Sequence, residues 1–288
     1  PLKQSLGGNQ INKVSGIING TTNYILSKMD KEGVNYADVL KDAQALGYAE
    51  SDPAADVEGL DAADKIAILS GLAFGGAINR SHIPTTGINH LEAVDVNYAR
   101  KLGYGIKLLA ISEKDKAQSN TEGSQPLSIW VEPTLVPEDN PLAGVNGVNN
   151  AILVEGNPIG QVMFFGPGAG SGPTASAVVA DILNIAGIQS MSENNKFNLD
   201  PLLSAMSWRS CHVAEKKQIK KKNYIRLIAK DSPGVIGEIG TIFGQKNISI
   251  ESIVQFDVSD KEAEIVVITH KIKQGQLEEA LQDIENLS

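Results

Sequence analysis

Between residues 104 and 166, four short apolar runs, 106–111, 127–136, 151–154 and 161–165, are separated by Gly, Asn and Pro. Runs of this length read as strands, and the turn residues between them predict a sheet that is largely antiparallel. On either side the period changes. Upstream, residues 22–29, 36–46 and 60–74 carry apolar positions at helical spacing, with Tyr36, Val39, Leu40 and Ala43 on one face and Gly47 and Gly75 as natural stops. Downstream, a further helix is predicted over 175–185. With residues 1–78 read as helical throughout, the first part of the chain is expected to be an α+β domain, a mixed and mainly antiparallel sheet flanked by helices.

A second unit follows. Residues 224–229, 248–256 and 264–270 read as strands, and residues 235–244 and 276–286 as helices. The order β-α-β-β-α is the split arrangement of a ferredoxin-like fold without its final strand. Between the units, residues 193–222 are polar and end in Lys216, Lys217, Lys220, Lys221 and Lys222, which predicts a connector. The expected division is therefore 1–192, a linker at 193–222, and 223–288.

Composition narrows the partners. At 288 residues and 42% hydrophobic content the chain can bury two cores, and its net charge of −9 opposes a surface that tracks nucleic-acid phosphates. A small-molecule ligand is expected instead. Cys211 is the single cysteine, so no disulfide can form within the chain, and a reducing cytoplasm is the expected compartment. No stretch approaches the ~20 apolar residues of a membrane span. The four histidines show no ligand spacing, so no metal is expected. The first residue is Pro1, not Met, and no signal pattern follows, which leads us to expect further chain upstream.

The densest chemistry runs from Gly47 to Lys65. A loop with Glu50, Asp52, Asp56 and Glu58 leads into a helix on which Asp61 and Lys65 are four residues apart and therefore neighbours. Acid and base at that spacing form an ordinary surface salt bridge in many helices. Against that reading, residues 66–74 are apolar nearly all round, which predicts a helix buried on most sides and a Lys65 close to the core. Desolvation would favour the neutral amine and Asp61 the ammonium, a balance suited to proton transfer. Calcium is the other use of such a loop, but the glycine and terminal Glu of the helix-loop-helix calcium motif are missing.

The segment Gly-Tyr-Ala-Glu-Ser-Asp-Pro at 47–53, with Asp56, Gly59-Leu60-Asp61 and Lys65, resembles the signature of the homoserine dehydrogenases. Residues 17–26, Ile-Ile-Asn-Gly-Thr-Thr-Asn-Tyr-Ile-Leu, resemble the segment that precedes it. The resemblance implies reversible, NAD- or NADP-dependent conversion of aspartate semialdehyde to homoserine, in threonine and methionine biosynthesis. It implies Lys65 as the proton donor to the substrate oxygen, Glu50 and Asp61 as substrate-binding residues, and Asp56 and Thr21 in the same pocket. Gly47 would lie against the cofactor, where a missing side chain permits close approach.

A glycine loop, Gly166-Pro-Gly-Ala-Gly-Ser-Gly-Pro-Thr174, joins an apolar strand to the helix at 175–185, a place where backbone N–H groups can meet an anion. It is not the dinucleotide fingerprint, because Ser171 and Pro173 fall where the third glycine belongs. It could serve packing alone. It also resembles a motif of the same family, in which the glycine matching Gly170 contacts the nicotinamide nucleotide. No strand followed by the dinucleotide fingerprint occurs in the chain, so the resemblance implies a nucleotide-binding domain outside it and no turnover by the chain alone.

In the second unit, Asp231-Ser232-Pro233-Gly234 closes a strand and opens a helix, with Asp231 or Ser232 as a cap. The unit resembles an ACT domain, which implies threonine as effector and Asp231, Gly234, Asn247, Ile248 and Gln255 around it. A homodimer or homotetramer is expected. The alternative is a non-catalytic amino-acid-sensing oligomerisation module.

Overall fold

The structure is a computed structural model that describes residues 2–3, 5–114, 126–194, 212–259 and 262–287. The chain divides into two compact units, Pro1–Val213 and Ala214–Ser288. The first unit runs β1 (Gln10–Ile17), α1 (Gly20–Glu32), α2 (Tyr36–Ala45), α3 (Ala54–Val57), α4 (Leu60–Phe74), α5 (Ala93–Lys101), β2 (Tyr104–Lys114), β3 (Leu127–Pro137), β4 (Asn149–Asn157), β5 (Gly160–Pro167) and α6 (Ser171–Asn194). Its five strands lie in the order β3-β2-β1-β4-β5, every pair antiparallel.

The central strand is one that helical periodicity does not reveal. Residues 1–78 were expected to be helical, whereas β1 pairs with β2 on one side and β4 on the other. Its sequence, QINKVSGI, mixes Asn12, Lys13 and Ser15 among the apolar positions, so its alternation is faint. Tertiary pairing supplies what local pattern lacks: Lys13 lies opposite both Glu113 and Glu155, 3.7 and 3.8 Å from their carboxylates. Helix α5 was also absent from the expectations. It is short and polar, and only Val96, Tyr98, Ala99 and Asp95 are buried.

The core gathers Val14 and Ile18, Ile25, Leu26 and Met29 of α1, Ala62, Ala63 and Ile66 of α4, and Ile106, Leu108 and Ala110 of β2. Helix α4 buries Ala62, Ala63, Ile66, Ser70 and Gly71 and turns Ile68 outward at 64% exposure. Of its residues only Asp64, Lys65 and Ile68 are exposed, and Ala67, Leu69, Ala73 and Phe74 also pack against the core, so α4 is covered on most sides as its composition predicted, with one open flank that carries Lys65. Helix α6 starts at Ser171, four residues before the predicted helix, and leaves Val178, Val179, Ile182, Leu183 and Ile185 exposed.

Lys107 of β2 is 4% exposed, and burial pushes its ammonium down to about 8 against the opposing pull of Asp30. In the unfolded chain a lysine titrates near ~10.4. Between those two values the unfolded state holds more protons, so this residue makes the fold more stable as pH rises; below the lower value both states are charged and the cost of burial is felt in full. Denaturant unfolding across that window should show a steeper gain for the wild type than for Lys107→Met. Equal slopes would refute the assignment.

The second unit contains β6 (Lys220–Lys221), β7 (Tyr224–Lys230), α7 (Val235–Gln245), β8 (Ile250–Ser259), β9 (Glu262–Thr269), β10 (Ile272–Lys273) and α8 (Gln274–Glu285). Strands β7-β9-β8 form an antiparallel sheet, with β6 and β10 as a separate ribbon. Ile225, Ile239, Phe243, Ile248, Ile265, Val267, Leu277 and Ala280 make its core. Among the described residues no fourth strand lies beside β7. The end of the lysine-rich stretch is structured here: Ile219 is buried, Lys220 and Lys221 pair with β10, and Lys216 meets Glu278 at 3.0 Å. Residues 195–211 of the predicted connector, with Cys211, lie outside the described residues.

Candidate active site

The candidate site is built where β1 hands over to α1. Asn19 caps α1, its Oδ1 accepting from the Thr22 N–H at 2.9 Å, which leaves its amide nitrogen free to turn toward α3 and α4. That nitrogen donates to Asp56 Oδ1 at 2.7 Å and to Asp61 Oδ2 at 3.0 Å. Lys65, one turn beyond Asp61 on α4, donates to the same Asp61 Oδ2 at 2.7 Å and to the Ile18 carbonyl at 3.0 Å. Two carboxylates, one on α3 and one on α4, are thus joined through a single buried amide, and the ammonium bonds the second of them. Asn19 is a site residue that the sequence reading quoted without assigning. Its signal was an N-capping residue directly before Gly20-Thr21-Thr22.

The remaining predicted residues fall around this cluster. Thr21 Oγ1 donates to the Tyr48 carbonyl at 2.7 Å, tying α1 to the turn after α2. Gly47, in that turn, has φ +74°, a conformation that favours glycine, and donates to the Gln44 carbonyl at 3.0 Å as α2 ends. Its would-be Cβ meets nothing within 4 Å, so it borders open space. Glu50 is exposed, and its side chain makes no hydrogen bond among the described residues. The structure therefore unites Asp56, Asp61 and Lys65 in one hydrogen-bonded cluster, to which the Glu50 side chain is not bonded.

Sequence periodicity placed Lys65 near a core, partly desolvated. The Lys65 and Asp61 side chains are instead 46% and 32% exposed, because Lys65 stands on the flank of α4 while Ala62 and Ile66 take the buried face. Within this unit the cluster is open to solvent on one side.

The connection between α3 and α4, which sets Asp56 against Asp61, is braced by the segment at residues 86–88. Ile88 donates to the Val57 carbonyl at 2.8 Å, and the chain at Gly87 passes so close that a Cβ there would lie 2.1 Å from the Val57 oxygen and 2.5 Å from Glu58 Cα. Thr86 and Val131 secure the same segment to β3.

On the far side, β5 ends at Pro167 and Gly170, with φ +120°, precedes α6 and accepts from Thr174 N–H at 3.0 Å. The side chain of Asn150, at the start of β4, fills the space that a Cβ on Gly168 would need, and its Oδ1 is buried with no hydrogen-bond partner. In the second unit, Asp231, Gly234 and Gln255 line a cleft of about 440 Å³ at the start of α7, with Gln255 donating to Asp231 at 3.2 Å. Asn247 and Ile248 are not among its lining residues: Ile248 belongs to the core, and Asn247, φ +55°, lies at the far end of α7. Among the described residues no group of three or more His, Cys, Asp or Glu is placed to hold a metal ion, and no helix is long and apolar enough to cross a membrane.

Known proteins share both units. Residues 1–183 match the homoserine dehydrogenase family and residues 223–288 match the ACT domain. The chain belongs to the homoserine dehydrogenase family. It is 52% identical over 287 residues to the homoserine dehydrogenase of Synechocystis sp., covering 100% of this chain and 65% of that protein. The homoserine dehydrogenase of Neisseria gonorrhoeae is 42% identical over 289 residues, covering 99% of this chain and 64% of its own length. The crystal structure of a homoserine dehydrogenase from Thiobacillus denitrificans superposes with a TM-score of 0.89 at 38% identity, covering 100% of this chain and 63% of that one. The chain thus spans 65% or less of the length of these relatives.

Proposed function

We propose that this chain carries the substrate site, the nicotinamide-facing wall and the regulatory unit of a homoserine dehydrogenase that interconverts aspartate semialdehyde and homoserine. The observation that carries the reading is the Lys65–Asp61–Asn19–Asp56 cluster. A bound NAD or NADP supplies or accepts the hydride. Lys65 holds the proton at the substrate oxygen, giving it as the aldehyde is reduced and taking it back as the alcohol is oxidised. Asp61 orients that ammonium, and Asp56 and Glu50 receive the substrate's amino group, since a cation in a partly dry site needs carboxylate partners. Thr21 lines the same pocket.

The residues present suit a dinucleotide. Gly47 borders open space, and Gly170 opens a long helix whose first N–H groups can face an anion. Two facts support a further, dinucleotide-binding domain packed on α6: its exposed Val178, Val179, Ile182, Leu183 and Ile185, and the greater length of the relatives. On this reading residues 1–192 form the substrate domain, 223–288 the regulatory one, and the chain alone turns over no substrate. The enzyme works in the cytoplasm as a homodimer or homotetramer in threonine and methionine biosynthesis.

The test is a graft. This chain, placed in the Synechocystis relative instead of its matched 287 residues, should oxidise homoserine with NAD or NADP at a rate comparable to the parent. A folded graft without turnover would overturn the reading. The regulatory assignment rests on the Asp231–Gln255 cleft and is tested on the chain itself: saturating threonine should raise the melting temperature through binding to the folded state, and Asp231→Ala should remove the shift. No shift in the unaltered chain would exclude threonine from that cleft.

A further inference from the structure

Lys107 is an expensive residue with no role in the chemistry above. Its ammonium is buried, and the acceptors around it are neutral: the Val145 carbonyl at 2.6 Å, Asn146 Oδ1 at 2.9 Å and Asn23 Oδ1 at 3.4 Å. Asp30, the carboxylate that acts on it through space, is bonded to Arg100. A buried charge without a bonded counter-ion opposes folding, and an apolar side chain of similar volume would fill the same space without that cost. What an ammonium offers in return is several donors at one point, two reaching one loop at Val145 and Asn146 and a third turned toward Asn23 of α1.

That loop bridges the two sides of the site. Asn23 of α1 donates to the carbonyls of Val145, Gly147 and Asn149 at 3.2, 3.0 and 3.0 Å, so Lys107 and Asn23 grip one segment together. The segment presses on the first turn of α1, where a Cβ on Gly20 would lie 2.9 Å from the Val148 oxygen. Gly20 stands between Asn19 and Thr21. At its other end the segment enters β4, whose Asn150 pairs with Gly166 and packs its carboxamide against Gly168. Residues 145–150 thus touch the start of α1 at Val148 and the glycine turn at Asn150.

We propose that Lys107 is a positioning residue: by clamping residues 145–149 onto the start of α1, it sets the distance between the Asn19–Asp56–Asp61–Lys65 cluster and the glycine turn at 166–170. The inference rests on the proposed homoserine dehydrogenase reading of that cluster. A misplaced pair of reacting partners loses near-attack geometry while each still binds, so the effect belongs in kcat.

The experiment uses the grafted enzyme. Lys107→Met should lower kcat by about 10- to 100-fold, with KM for homoserine close to the parent's and a melting temperature no lower than the parent's. Lys107→Gln, which keeps an N–H donor, should recover part of the loss. An unchanged kcat, or kcat, KM and melting temperature failing together, would overturn the proposal. Should Lys107→Met not fold, Asn146→Ala carries the test: it removes one exposed acceptor of the clamp, a smaller fall in kcat supports the proposal, and an unchanged kcat overturns it. Lys65→Met separates the two ideas. If it destroys turnover while Lys107→Met does not, only the clamp fails; if it leaves turnover intact, the site itself has been misassigned.

Discussion

Replacing Lys65 with methionine in the grafted enzyme is expected to lower kcat by about 10²- to 10⁴-fold, the usual worth of a positioned proton donor, and to leave the melting temperature nearly unchanged. Both halves follow from geometry. Among the described residues the lysine is the one cation bonded to Asp61, and its side chain is 46% exposed, so little packing is lost with it. An exposed ion pair contributes about 1 kcal/mol or less to folding. Asp61→Asn should act in the same direction with a smaller effect, because the amide can still accept from Asn19 and Lys65 while losing its charge. The decisive comparison is kcat against KM for homoserine. A Lys65→Met enzyme that kept kcat and lost only affinity would make the lysine a binding residue.

The second large effect is steric. Gly87→Ala is expected to lower stability by about 1–3 kcal/mol or more, the range for forcing extra atoms into a packed interior, and to reduce turnover as well. The new methyl would collide with the Val57 oxygen and Glu58 Cα, both backbone atoms that cannot rotate away. The turn must shift, and with it Asp56 on one side and Asp61 on the other. Gly105→Ala on β2 is the matched control, since nothing lies within 4 Å of its would-be Cβ. Denaturant midpoints of the two variants decide the matter. Equal midpoints would mean that the segment at Gly87 yields without cost.

The two predictions differ in how visible their residues were before any fold was known. Lys65, Asp61 and Asp56 sit within ten residues of one another, so a helix turn of spacing brought the first two together on paper, and the structure joins the third through Asn19. Gly87 stood out in no pattern. Its importance depends on a backbone 29 residues away in sequence, at Glu58, and only packing puts the two in contact. The strands of the first unit divide the same way. Strands β2 to β5 were legible because their apolar runs are bounded by turn residues, whereas β1 was hidden by Asn12, Lys13 and Ser15, although it lies at the centre of the sheet.

Exposure was the property least open to inference from order alone. The run after Lys65 is apolar enough to suggest burial all round, and α4 is covered on most sides, yet Lys65 itself and Ile68 lie on the one flank left open. Periodicity counts how many apolar residues a helix has; how many neighbours arrive to cover them is set by elements far away in the chain. The same holds for Lys107 and Asn23, which are unremarkable in sequence and become a buried clamp when β2, α1 and the segment at 145–149 converge.

Residue order, then, settled the identity of the family, the helical or extended character of most segments and the acid–base pair on α4, since each depends on neighbours within a few positions. Folding alone decided which strand is central, that Asn19 links the carboxylates, that Glu50 is exposed and outside that hydrogen-bonded cluster, and that Lys65 meets solvent. Those outcomes come from contacts between distant segments, whose geometry no local spacing contains.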